Sequence, residues 1–151
     1  MKKGIYIAAI VGGGILVYVF VFLAMDPKTT EMAAAVPIPI VFAMIFHLMM
    51  VYKMWGSIQD GQPRMSPGKA VGFLFIPFFN VYWLFQVYPG FATDYNRHLQ
   101  QKNLPAKPLS HGLMVGMALM ILLAIPIVNW IIQSIAISKI CDAVNAIKPR
   151  A

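Results

Sequence analysis

Charge is the scarce ingredient of this sequence. Residues 4–25, 33–52, 70–93 and 112–138 contain no Asp, Glu, Lys or Arg, and together they make up 93 of the 151 residues. All 17 charged side chains, 12 basic and 5 acidic, fall in the other 58. A soluble domain carries a charge on about one residue in four. Gaps of this length exclude a soluble globular fold, and a hydrophobic content of 60% excludes a disordered chain. No run of four or more basic residues occurs, which removes nucleic acid as a partner. The single cysteine, Cys141, excludes an intrachain disulfide and a multi-thiolate metal cluster. Gly-x-Ser-x-Gly, His-Glu-x-x-His, a phosphate-binding loop and paired carboxylates are also missing. The chain reads as non-enzymatic.

What is present is hydrophobic length. A bilayer core of about 30 Å takes about 20 apolar residues as a helix. Helices are the default, because unpaired backbone groups are too costly in lipid. Each charge-free stretch is long enough for one crossing and too short for two. The expected fold is all-α and integral to the membrane, with a single domain over 1–151. Four transmembrane helices at about 4–25, 33–54, 68–90 and 112–138 would form an antiparallel bundle. A short interfacial helix at about 91–101 would follow the third. Met1-Lys2-Lys3 before an apolar run imitates a signal peptide, but 22 residues exceed the usual hydrophobic region of about 7–15. It is therefore read as the first span.

Four crossings place both termini on one side. Lys2, Lys3, Lys53, Arg64, Lys69, Lys139, Lys148 and Arg150 would share that side, with Lys28, Arg97, Lys102 and Lys107 opposite. Basic loops stay cytoplasmic, so both termini are expected inside, in the cytoplasmic (inner) membrane. The net charge of +7 fits this rule and anionic headgroups.

Small residues mark candidate packing faces. Gly4, Ala8 and Gly12, and again Ala9 and Gly13, recur at four-residue spacing in the first span, as do Gly112 and Gly116 in the fourth. The run Gly12-Gly13-Gly14 would alternatively be a hinge or a ligand groove. Ile76-Pro77-Phe78-Phe79-Asn80 is echoed 49 residues later by Ile125-Pro126-Ile127-Val128-Asn129. Trp83 and Gln86 follow the first copy, Trp130 and Gln133 the second. Proline inside a helix frees a carbonyl, and the amides of Asn80, Asn129 and Gln133 could satisfy such groups across a helix pair. The alternative is a transport site at broken helices, although no carboxylate lies in any span.

His47 is the one titratable group among the four stretches besides tyrosine. Met44, His47, Met50 or Val51, and Met54 share one helical face, and thioethers with imidazole suit Cu(I). Gap-filling methionine is the plainer account. A two-histidine haem lacks a second histidine at depth, since His98 and His111 lie in or beside the loop expected on the other side. Asp94, Arg97 and His98 form a charged cluster at a membrane surface.

Ser66-Pro67-Gly68-Lys69-Ala70-Val71-Gly72 and Ile76-Pro77-Phe78-Phe79-Asn80-Val81-Tyr82-Trp83 resemble a segment of uncharacterised bacterial polytopic membrane proteins. Those are often fused to a small GYF-like domain, which has no counterpart here. The resemblance covers about 66–147. It implies a bacterial inner-membrane protein and no activity, so no catalytic residue is carried over. The expected function is a small non-catalytic subunit or scaffold. Its partners would be the lipid bilayer and other integral membrane subunits, or a second copy of itself. The alternatives are an oligomeric transporter or channel with a polar path at Asn80 and Asn129, flanked by Gln86 and Gln133, and a copper- or haem-binding redox subunit using His47.

Overall fold

Two apolar helices open the chain and lie side by side. In the computed structural model, which describes residues 1–26, 28–123 and 126–147, α1 is Lys3–Ala24 and α2 is Pro37–Gly56. Residues 25–36 between them include a 3-10 turn at Thr30–Ala35. Pro37 opens α2, where its missing N–H costs nothing. The backbones approach closely at Gly13, where a Cβ would sit 2.8 Å from the Ala43 Cβ and 3.3 Å from the Pro39 carbonyl. Leu16, Phe22, Ile38 and Phe42 remain exposed on the outer faces, an apolar surface that suits lipid.

The third apolar stretch is not one helix. Ser66 caps α3 (Pro67–Gly72), its Oγ accepting the Lys69 N–H at 3.3 Å, as Ser-Pro implies. A 3-10 turn at Phe73–Phe75 follows, and the chain reverses at Ile76-Pro77-Phe78 into α4 (Phe79–Gln101). Pro77 cannot continue a helix, because it has no N–H and its ring would strike the carbonyl four residues back. Phe78 completes the reversal at φ 62°. Two contacts fix the hairpin. Trp83 Nε1 donates to the Ala70 carbonyl at 3.1 Å, and the Phe73 and Phe79 rings meet edge to face.

The separate interfacial helix expected at 91–101 is instead the second half of α4. The helix passes through Pro89 unbroken. One missing backbone bond is outweighed there by burial, since Phe91, Tyr95 and Leu99 enter the protein core instead of the lipid boundary. Thr93 Oγ1 donates to the Pro89 carbonyl at 3.2 Å.

The fourth stretch, expected as one span over 112–138, is two helices, α5 (His111–Leu123) and α6 (Pro126–Ile147). They pack antiparallel. A Cβ on Gly116 would lie 3.8 Å from Ile132, whereas 16 residues along one helix span about 24 Å. Pro126 stands first in α6, and the residue before a proline is steered away from helix. That residue, Ile125 of the echoed motif, lies outside the described residues.

The described chain is thus all-helical, with six α-helices and no strand. Three of its helices are long and apolar enough to cross a membrane: Lys3–Ala24, Pro37–Gly56 and Val128–Ile147.

Because 70–93 and 112–138 each turn back, the loops collect at one end. The Met1 amino group donates to Asn145, and Lys3 pairs with Asp142 at 3.1 Å. Tyr95 donates to the Ala143 carbonyl, and Asn96 holds Leu109. Arg64 reaches Asp94 at 3.0 Å. Residues 94–111, expected opposite the termini, therefore lie beside them, and so do Arg97, Lys102 and Lys107. Among the described basic residues, Lys28 alone is at the other end, near Asp26 and Glu31.

Candidate functional site

α2 and α6 bring His47, Asn129 and Gln133 to one cleft. His47 lies at the middle of α2, about 15 Å from either end at 1.5 Å per residue. Facing it across a cavity of about 270 Å³ are Asn129 and Gln133 of α6, with Ile10, Ala43, Met44 and Ile121 completing the wall. Asn129 and Gln133 are one helical turn apart, and Gln133 Nε2 donates to Asn129 Oδ1 at 2.6 Å. That bond aligns the two amides along one face.

His47 is held from behind by Tyr88 of α4, whose hydroxyl bonds His47 Nε2. The rings meet edge to face, centroids 5.9 Å apart. The phenol has no other acceptor among the described residues, so we assign its proton to this bond. A neutral imidazole then carries its own proton on Nδ1. With the Asn129 amide, which donates to no described residue, the cleft offers N–H donors at mid-depth. Such donors seek acceptors, and in an apolar layer leaving them unmet costs several kcal/mol.

A second polar cluster lies at the basic end. Asp94, almost wholly buried on α4, accepts from the Arg64 backbone N–H at 2.8 Å, the Arg64 guanidinium at 3.0 Å and Arg97 at 2.9 Å. Gly90 makes room for Arg64, since a Cβ there would lie 3.3 Å from its Nη1. His98 and Lys102 reach Asp60 at 3.7 and 3.4 Å. These bonds fasten the 57–66 loop onto α4. The charged cluster read from Asp94, Arg97 and His98 thus works inside the protein, and Arg64 belongs to it.

The other singled-out residues divide. Asn129, Gln133, His47 and Met44 come together at the cleft. Asn80 stands at the start of α4, in the hairpin begun by Pro77, and does not line the cleft. Met50 is fully buried in the core and away from the cleft wall, so a thioether pair around His47 does not form. Among the described residues no group of three His, Cys, Asp or Glu could hold a metal. In α1 the close approach to α2 is at Gly13 and Ala9 is buried, whereas Gly4 and Gly12 have open space beside them and Ala8 is exposed. Gly116 packs on α6, and Gly112 is exposed near the Ser110 hydroxyl. Tyr88 was not legible as a site residue: its partner is 41 positions away, and only the fold joins them.

No protein-family description, curated protein or solved structure matches the chain.

Proposed function

We propose that this chain is a small non-catalytic integral membrane subunit of the bacterial cytoplasmic membrane, and that its mid-depth cleft receives a transmembrane helix of a partner protein. The observation that carries this reading is the convergence of His47, Asn129 and Gln133 on a cleft open at the side of the helix bundle. Hydrocarbon offers their N–H groups no acceptor. A partner helix offers carbonyl and hydroxyl oxygens, and interhelical bonds of this kind contribute about 0.6–2 kcal/mol each. The bacterial setting rests on the resemblance of residues 66–83.

The same reading includes the topology. α1 and α2 cross the bilayer, while α3 with α4 and α5 with α6 enter from the basic end and turn back. Eleven residues from Pro67 to Phe78 rise at most about 17 Å as helix. From Asp142, level with Lys3, to Pro126 is about 24 Å, short of the roughly 30 Å core. The tip of the first hairpin suits lipid, with Phe75, Ile76 and Phe78 all exposed. Its backbone is satisfied locally, Asn80 N–H donating to the Ile76 carbonyl at 3.0 Å. Basic residues then count strongly one way: Lys2, Lys3, Lys53, Arg64, Lys69, Arg97, Lys102, Lys107 and Lys139 at one end against Lys28 at the other. That end is cytoplasmic by the positive-inside rule.

A photoreactive benzoylphenylalanine in place of Met44, at the cleft mouth, tests the partner. Irradiation of intact cells is expected to join the chain to another membrane polypeptide, a different protein or a second copy. Adducts with lipid alone would contradict the reading.

A further inference from the structure

A second cavity, of about 470 Å³, lies at the basic end. Its walls are the 102–110 loop, the first turn of α5 and the last turns of α6. Sequence and hydrogen bonding show why it stays open. Pro105 and Pro108 keep the loop from coiling into helix. Asn96 then grips both backbone groups of Leu109, donating to its carbonyl at 2.9 Å and accepting from its N–H at 2.8 Å. On the far side, Tyr95 donates to the Ala143 carbonyl at 3.4 Å and ties α6 to α4. The cavity is therefore a built gap between two fastened walls.

Its lining is divided by chemistry. Tyr95, Leu113 and Ala143 make an apolar wall, continuous with the charge-free run of α5. Lys107, Lys139 and Ser110 stand at the polar rim, together with Asp142. The Asp142 carboxylate is already paired with Lys3 at 3.1 Å. Among the described residues, Lys107 and Lys139 have no carboxylate within 4 Å, unlike Lys102, which pairs with Asp60. Two uncompensated ammonium groups thus flank an apolar wall at the level where α5 enters the hydrocarbon.

We propose that this cavity binds the headgroup of an anionic glycerophospholipid. The phosphodiester meets Lys107 and Lys139, with the Ser110 hydroxyl as a further donor. The glycerol and the first acyl carbons lie against Leu113 and Ala143. A headgroup hydroxyl finds its acceptor in Asp142. A soluble phosphate would satisfy the lysines and leave the apolar wall unused. Basic pockets between membrane helices on the cytoplasmic side are suited to anionic headgroups. It rests on the topology proposed above and not on the cleft at His47.

Native mass spectrometry of the full chain in mild detergent tests it, with phosphatidylglycerol and phosphatidylcholine of identical acyl chains as probes. One phosphatidylglycerol is expected to remain bound at least about tenfold more tightly than phosphatidylcholine. In K107Q/K139Q that preference falls to about onefold, and K107R/K139R restores it. K53Q/K69Q removes the same charge from the same end outside the cavity and retains the preference. Equal binding of the two lipids in the parent would overturn the proposal. So would equal loss in the two glutamine pairs, which would mean a diffuse charge effect. Displacement of the lipid by an equal concentration of inorganic phosphate would overturn it in favour of a free-anion site.

Discussion

The bond between His47 and Tyr88 joins α2 to α4 through two polar side chains midway along α2. Its worth lies in mutual satisfaction. Removing the phenol leaves His47 Nε2 without a donor, and removing the imidazole leaves a buried O–H without an acceptor. An unmet buried polar group costs about 1–3 kcal/mol, whereas replacing both partners by apolar groups is nearly neutral. Tyr88→Phe and His47→Phe are therefore expected to destabilise the protein singly and to be non-additive together, with a coupling of about 1–2 kcal/mol in thermal or denaturant unfolding in detergent. Strict additivity would show that the two side chains do not act as a pair. Asp94 follows a different logic. Its charge is buried, yet three groups of donors answer it, so it is a fastener for the 57–66 loop.

Among the elements, the two halves of the chain were unequally legible. α1 and α2 could be read from hydropathy, although α2, expected at 33–54, starts only at Pro37, after the 3-10 turn at Thr30–Ala35, and runs past Lys53 to Gly56. The hairpins could not. A charge-free run of 24 or 27 residues has the same composition whether it crosses once or enters and returns. Two signals were present in the sequence: Pro77 and Pro126 within the runs, and a fourth run longer than a crossing needs. The echoed Ile-Pro-x-x-Asn motif marks the start of the returning helix in both hairpins, where it had suggested kinks in continuous spans. Packing detail was legible only to the level of residue type. Small residues at four-residue spacing form two stripes on α1, and sequence alone does not say that Gly13 faces Ala43 while Gly12 has open space beside it. Gly13→Leu is expected to force α1 and α2 apart and cost about 1–3 kcal/mol, the usual penalty of overpacking. Gly12→Leu, with open space at its Cβ, is expected to change unfolding by less than about 0.5 kcal/mol. Equal losses in the two variants would mean that the close approach is elsewhere.

At the scale of the whole molecule, charge scarcity and charge placement have one explanation. The apolar layer excludes charge, so every loop must lie at one end or the other, and hairpins that return send their loops back to the end they left. That brings residues 94–111 to the end of the termini and moves Arg97, Lys102 and Lys107 there with them, so that among the described basic residues Lys28 alone stays at the other end. The cleft and the basic-end cavity both follow from the same two hairpins: α6 folds back on α5, which sets Asn129 and Gln133 opposite His47 at one level and leaves a gap beneath the 102–110 loop at the other. The topology is thus the premise on which both sites rest.

Cysteine accessibility in intact cells tests it most directly. In a C141S background, single cysteines at Lys28, Gln62 and Gln101 are treated with a charged, membrane-impermeant maleimide before and after permeabilisation. The account predicts labelling of Lys28→Cys in intact cells, and of Gln62→Cys and Gln101→Cys only after permeabilisation. Labelling of Gln101→Cys in intact cells, with Gln62→Cys protected, would put the 94–111 loop across the membrane and contradict the hairpins.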